Sequence, residues 1–181
     1  MENRIKLERK KDGVLVRVKA YHEAPKQRQL GLWLFAWSFC GLAVIFHLIF
    51  GETNRETLRF ILIFLAFWIY FEWKIIKVYR WRKSGEEQFW ITEDHFHYGK
   101  TYANRGILKP YPKHSVNPVR PIESEKNSFV KAFFDSYWVM GDEQLAFSVN
   151  AKLIPFGMRL SEKEAKKLSR LLNAELQSHP D

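Results

Sequence analysis

LGLWLFAWSFCGLAVIFHLIF (Leu30–Phe50) and LRFILIFLAFWIYF (Leu58–Phe71), joined by GETNRET (Gly51–Thr57), decide the class of this chain. Each apolar run lies within a stretch of about twenty residues, the length an α-helix needs to cross the ~30 Å hydrocarbon core of a bilayer. The link is too short to bring the second run anywhere but back beside the first. Inside a membrane each Leu, Ile, Phe or Val contributes roughly −0.3 to −0.6 kcal/mol to insertion, so the first run, which carries no charge, inserts favourably. Glu72 follows the second run, close enough to the helix end to reach the interface. Two core helices of a soluble protein are the competing reading. The rest of the chain could not cover two helices that are apolar all round.

Mean hydropathy over the whole chain is only −0.32, because the remainder is heavily charged. The first run begins too far from Met1, is too long and lacks a small-x-small step for a cleaved signal peptide to be expected. The single cysteine, Cys40, falls inside the first run, so neither a disulfide framework nor a cysteine zinc site is available within one chain.

The basic residues give an orientation. Arg4, Lys6, Arg9, Lys10, Lys11, Arg17, Lys19, Lys26 and Arg28 precede the first run, and Lys74, Lys77, Arg80, Arg82 and Lys83 follow the second. The link holds Arg55 alone, with Arg59 just inside the next helix. The positive-inside rule then places both termini in the cytoplasm. The net charge of +9 is partly this signal. Its position beside the membrane suits anionic lipid headgroups better than nucleic acid, and no nucleic-acid partner is expected. Lys74, Lys77, Arg80, Trp81, Arg82 and Lys83, with Trp73 and Tyr79, mix aromatic and basic side chains as an interfacial anchor does, and are the candidate lipid-surface residues.

The flanking sequence reads as strands. Residues 4–21 predict a β-hairpin turning at Asp12-Gly13, which would pair Leu7 with Val18 and Arg9 with Val16. Ile5, Leu7, Val14, Val16 and Val18 would share one face, and Glu8 would meet Arg17 on the other. A lone hairpin is marginal in water, so it must dock on something. Gly51 is a candidate C-cap for the first helix. Thr53-Asn54-Arg55-Glu56 fits a capping box for the second. After Gly85, Gln88–Thr92 and His95–Gly99 alternate around Glu93-Asp94 and put Phe89, Ile91, Phe96 and Tyr98 on one face. Residues 107–122 hold Pro110, Pro112, Pro118 and Pro121 and read as loop or edge strand. Phe129–Met140 reads as a long aromatic strand, turning at Gly141-Asp142 into Gln144–Asn150 and then Lys152–Phe156. Ser161 and Glu164 box the start of a last helix, 161–177, whose apolar stripe is Ala165, Leu168, Leu171, Leu172 and Leu176.

The chain therefore divides into an N-terminal hairpin (1–24), a transmembrane hairpin (25–83, spans near 30–50 and 58–78), and a β domain with its C-terminal helix (84–181). The N-terminal hairpin is expected to join the later strands, making a sheet of about seven closed by the helix. That order resembles the pleckstrin-homology-like fold, and in particular small bacterial membrane proteins with two transmembrane helices and a PH-like domain. Gly85-Glu86-Glu87 resembles that family's step into its first cytoplasmic strand. Phe156-Gly157-Met158-Arg159-Leu160-Ser161-Glu162-Lys163-Glu164-Ala165 resembles its closing strand, glycine turn and capped helix. The resemblance implies a multi-pass protein of the bacterial inner membrane with a cytoplasmic binding module. It implies no reaction.

Little else points to chemistry. His95 and His97 share one face of a strand, but a zinc site needs at least one more ligand than they supply. The better reading is solvent-facing histidines around Trp90. His47 and Glu72 fall at opposite ends of the spans, too far apart for a proton relay. Glu72 is expected to pair with Lys74, Lys77, Lys26 or Arg28. Ser38, Gly41 and Ala43 are small enough to let the two helices approach. No phosphate loop, nucleophile elbow or zinc-protease motif occurs. No cofactor, metal or catalytic residue is therefore assigned, and an enzyme is not expected. The functional expectation is a membrane-anchored PH-like module docking a protein partner or anionic lipid headgroups. The alternative is an accessory subunit of a larger membrane complex, assembled through its helical hairpin.

Overall fold

A computed structural model of the chain describes residues 4–103, 105–122 and 137–178. The elements run β1 (Ile5–Lys10), β2 (Gly13–Lys19), α1 (Ala24–Phe50), α2 (Arg55–Ser84), β3 (Gly85–Ile91), β4 (His95–Tyr102), β5 (Lys109–Pro112), β6 (Arg120–Pro121), β7 (Glu143–Val149), β8 (Lys152–Met158) and α3 (Glu162–Gln177). The chain is α+β, with a helical hairpin between its second and third strands. It forms two compact units: His22–Arg80, and the residues up to Tyr21 together with those from Trp81 onward.

In the second of these units the described strands make two antiparallel sheets, one ordered β1-β2-β3-β4-β5 and one ordered β6-β7-β8. β2 pairs with β3 along its length, Val14 opposite Ile91 and Val18 opposite Glu87, so the N-terminal hairpin lies in the same sheet as the strands after α2. Phe89 faces Tyr98, and Ile91 faces Phe96, across β3 and β4. These four side chains are buried with Val16, Val18, Phe147, Phe156, Leu168 and Leu172. Burying an aliphatic or aromatic side chain is worth about 1.5–3 kcal/mol, and this shared core is what unites hairpin, sheets and α3. Ser161 caps α3, its Oγ accepting from the Glu164 N–H, while the Glu164 carboxylate accepts from the Ser161 N–H at 2.8 Å.

The β1–β2 register differs from the predicted one by two residues. Ile5 lies opposite Val18 and Leu7 opposite Val16, and the loop is Lys11-Asp12. Gly13 is not a turn residue but the first residue of β2, at φ +149°, and a Cβ there would stand 2.2 Å from the Ile91 carbonyl oxygen. The glycine serves close approach to β3 rather than the turn. Glu8 and Arg17 still meet, at 3.5 Å. Leu7 stays 40% exposed.

Gly51 caps α1, its N–H donating to the His47 carbonyl. The start of α2 departs from the predicted capping box. Asn54 takes the role, its Oδ1 accepting from the Thr57 N–H at 2.8 Å. Asn caps as well as Ser or Asp does, and it stands one residue nearer the helix than Thr53.

Of the predicted strand over residues 129–140, residues 129–136 lie outside the described residues, and Tyr137–Met140 form turn and bend rather than strand. β7 and β8 meet at a two-residue turn, Asn150-Ala151, with both residues at positive φ, the backbone that matches strand twist in a tight hairpin.

Candidate functional surfaces

Along the facing stretches of α1 and α2 the exposed side chains are mostly apolar, while Ser38, Glu72 and the Trp68 N–H turn toward the other helix. Leu32, Phe35, Phe39, Phe46, Ile49 and Phe50 of α1 are exposed, as are Phe60, Ile63, Phe67 and Ile69 of α2. Gly41 lies against Trp68 so closely that a Cβ would stand 1.9 Å from the indole. The Trp68 indole N–H donates to the Trp37 carbonyl at 3.0 Å. Glu72 does not bond the predicted lysines or arginines: its Oε1 lies 2.6 Å from the Ser38 Oγ. Two of the three predicted small residues therefore mediate contact, Gly41 by its missing side chain and Ser38 by its hydroxyl, whereas Ala43 is exposed. Among the described residues α1 alone is long and apolar enough to cross a membrane. In α2, Arg59 and Glu72 confine the uninterrupted run to Phe60–Phe71.

The candidate lipid-surface residues separate. Lys74, Lys77, Arg80 and Lys83 are exposed, and Lys74 and Lys77 lie over the rings of Tyr70 and Trp73 at 5.4 and 5.0 Å. Trp81 and Arg82 are instead 1% and 2% exposed and cannot form a lipid-facing surface. Trp81 packs edge-on to Tyr102, and its ring lies against Gly85. Arg82 donates to the Val139 carbonyl at 3.1 Å and lies 4.9 Å from the Tyr137 ring. Both follow from position: α2 runs without a break to Ser84, and its last turn belongs to the β unit.

Arg82 belongs to a cluster the sequence did not single out. Arg4 and Arg159 flank the Tyr21 ring at 5.8 and 5.7 Å. Arg4 also donates to the carbonyls of Lys19, Met158 and Arg159 and approaches Glu164 at 3.6 Å. Burial, and next the charge of Arg159, push Arg82 down to about 10. The cluster ties the start of β1 to the turn between β8 and α3, using guanidinium forks that satisfy carbonyls at strand ends.

Glu87 is buried in the same unit. Its Oε2 accepts from the Gly157 N–H at 2.7 Å, and its Oε1 from the Tyr98 hydroxyl at 3.3 Å, with Lys100 at 3.9 Å. Burial raises its pKa against the opposing pull of Lys100 and the Gly157 N–H. The carboxylate links the two sheets, because Gly157 lies on β8. His95 and His97 sit side by side, ring centroids 5.9 Å apart, and His97 Nδ1 lies 3.2 Å from the Trp90 carbonyl. No third metal-ligating side chain joins them among the described residues.

A cleft of about 870 Å³ opens between β4–β5 and the β7–β8 hairpin, lined among others by Tyr111, Ile107, Leu153, Lys109, Lys152 and Pro155. Its lining includes lysines but no carboxylate.

Neither models of known protein families nor curated proteins give a match to this chain.

The cleft and the arginine cluster escaped sequence reasoning because each is assembled from segments far apart in the chain. The prolines of residues 107–122 were its one visible trace, since they mark the edge strand that forms one wall.

Proposed function

We propose that this chain is an integral membrane protein that crosses the bilayer twice through the α1–α2 hairpin. It presents its α+β unit, a PH-like module, at the cytoplasmic surface to dock a protein partner or anionic lipid headgroups. The observation that carries this reading is the inversion of the helical unit, with aromatic and aliphatic side chains facing out on both helices while Ser38, Glu72 and the Trp68 N–H turn inward. An apolar surface of that extent is unfavourable in water and favourable in lipid. The short run of α2 is compatible with spanning. Glu72 is held within the hairpin, and Lys74 and Lys77 have stems long enough to carry their charges to the headgroups. The basic residues on both sides of the hairpin support cytoplasmic termini. Two antiparallel sheets and a capped C-terminal helix support the PH-like reading.

The test is membrane topology. In cells, the chain should remain in the pellet after alkaline carbonate extraction. With Cys40→Ser as background, a cysteine replacing Asn54 should react with an impermeant maleimide added outside, and one replacing Ser178 should not. Release by carbonate, or equal labelling of both positions, would refute the two-span reading.

A further inference from the structure

In the β unit, only three large apolar side chains are exposed among the described residues: Leu7, Ile107 and Leu153. Ile107 and Leu153 are the most exposed, at 85% and 62%, and both line the cleft between β4–β5 and β7–β8. Lys109 and Lys152 line it too, are exposed, and have no ion-pair partner among the described residues. Lys100, deeper on β4, is engaged by Glu143 at 3.5 Å. The cleft thus offers unneutralised cations beside aliphatic side chains, the combination that a charged amphiphile satisfies.

Its strand edges argue against a polypeptide occupant. The Lys113 N–H bonds the Asp94 carbonyl, so on β4 residues 94, 96 and 98 turn their backbone groups toward β5. By alternation, the positions of β5 that face away from β4 are Pro110 and Pro112, opposite His97 and His95. Neither has an N–H to give. On β8 the outward positions are Leu153, Pro155 and Gly157, since the β7 residues opposite Leu153 and Gly157 bond away from β8, the Ser148 carbonyl accepting from the Asn117 N–H and the Gln144 carbonyl from the Ile122 N–H. Pro155 has no N–H, and that of Gly157 is taken by Glu87. Only Leu153 keeps a donor, so a partner segment cannot add here as a strand. The donors that remain in quantity are lysine ammonium groups, which suit a phosphate.

We propose that this cleft takes the headgroup of an anionic phospholipid, Lys109 and Lys152 meeting the phosphate and Ile107 and Leu153 entering the acyl region beside it. The β unit then reads the charge of the bilayer. The inference rests on the membrane placement proposed above and assigns its ligand and surface.

The experiment uses the full chain with Cys40→Ser, reconstituted in nanodiscs of phosphatidylcholine alone or mixed with phosphatidylglycerol. An environment-sensitive fluorophore is placed at Ile107→Cys, and in a separate sample at Phe46→Cys on α1. Nitroxide-labelled lipid serves as quencher. The expected result is a blue shift and quenching at position 107 with phosphatidylglycerol only, both lost in Lys109→Glu/Lys152→Glu. Position 46 should be quenched in both lipids. A position-107 probe that stays in water in both lipids, while position 46 is quenched, overturns the inference and leaves the membrane placement standing. So does a lipid response that survives the double charge reversal. An unquenched probe at position 46 removes the membrane placement and the inference with it. Both lysines are exposed and outside the core, so the double variant should fold, which circular dichroism checks.

Discussion

Glu87 puts a carboxylate where ionisation is unfavourable and then supplies three groups that oppose the penalty: the Gly157 N–H, the Tyr98 hydroxyl and, farther away, Lys100. Burial still prevails, and its folded pKa lies above the ordinary value of 4.5. The folded state therefore holds its proton more tightly than the unfolded chain does. Its favourable contribution is complete below the unfolded pKa and is lost as pH rises through the folded one. Glu87→Gln keeps an acceptor for Gly157 and removes the titration. The variant should gain on the wild type as pH is raised from about 4 toward neutrality, read as the difference in thermal midpoint between the two proteins in detergent. Parallel midpoint curves across that window would mean the ionisation is fully compensated. In sequence Glu87 was visible only as part of a Gly-Glu-Glu step into a strand. Its burial depends on Gly157, seventy residues away, and no local pattern could reveal that. Arg82 has the same lesson with the opposite charge: it sits in a run of exposed basic residues, and only the packing of Tyr137 and Tyr21 shows that it faces inward.

The helices are where local sequence was most readable, because length, apolarity and capping residues are properties of contiguous chain. The end of α1 at Gly51, the cap of α3 and the alternation of β3 and β4 were all legible on those grounds, whereas α1 begins at Ala24, ahead of the apolar run that starts at Leu30. What local pattern misjudged were choices between adjacent residues. Asn54 was preferred over Thr53 as a cap, and Gly13 was used for close approach rather than for a turn. Gly41 offers the sharpest test at this level. A Cβ at this position would overlap the Trp68 indole, and relieving it requires the indole or the helices to shift. Gly41→Leu should therefore lower the thermal midpoint in detergent and shift Trp68 emission, whereas Ala43→Leu, on an exposed position, should leave both unchanged. Core overpacking of this kind costs typically 1–3 kcal/mol, which places the expected loss at roughly that magnitude. An unchanged Gly41→Leu midpoint would show that the hairpin does not depend on this contact.

Across the whole molecule the main feature is discontinuity, since the β unit is built from both ends of the chain with the helical unit between them. The alternating pattern of residues 4–21 indicated a hairpin in need of a partner, but not which strand would provide it. That pairing is a long-range choice, set by Val16 and Val18 entering the core beside Phe89. A fusion of residues 4–21 to 81–178 through a flexible linker should give a soluble, cooperatively melting domain. Residues 81–178 alone should not, because β3 would lose a partner and the core two of its buried valines, Val16 and Val18. Cooperative melting of the shorter piece would show the N-terminal strands to be dispensable.

The pairing of β2 with β3 also imposes an order of events. When the chain is made, β1 and β2 leave the ribosome first, yet Val16 cannot meet Phe89 until both helices have been synthesised and the chain has doubled back. The closed loop is long, but because closure entropy rises only logarithmically with length, the wait is one of timing more than of free energy. During it the strand pair has an open edge, and the finished sheet can exist only in a molecule whose hairpin has already turned. Completion of the domain is thus a built-in record that the intervening helices have been made and the chain has doubled back, a dependence that a protein with its helices at one end would lack.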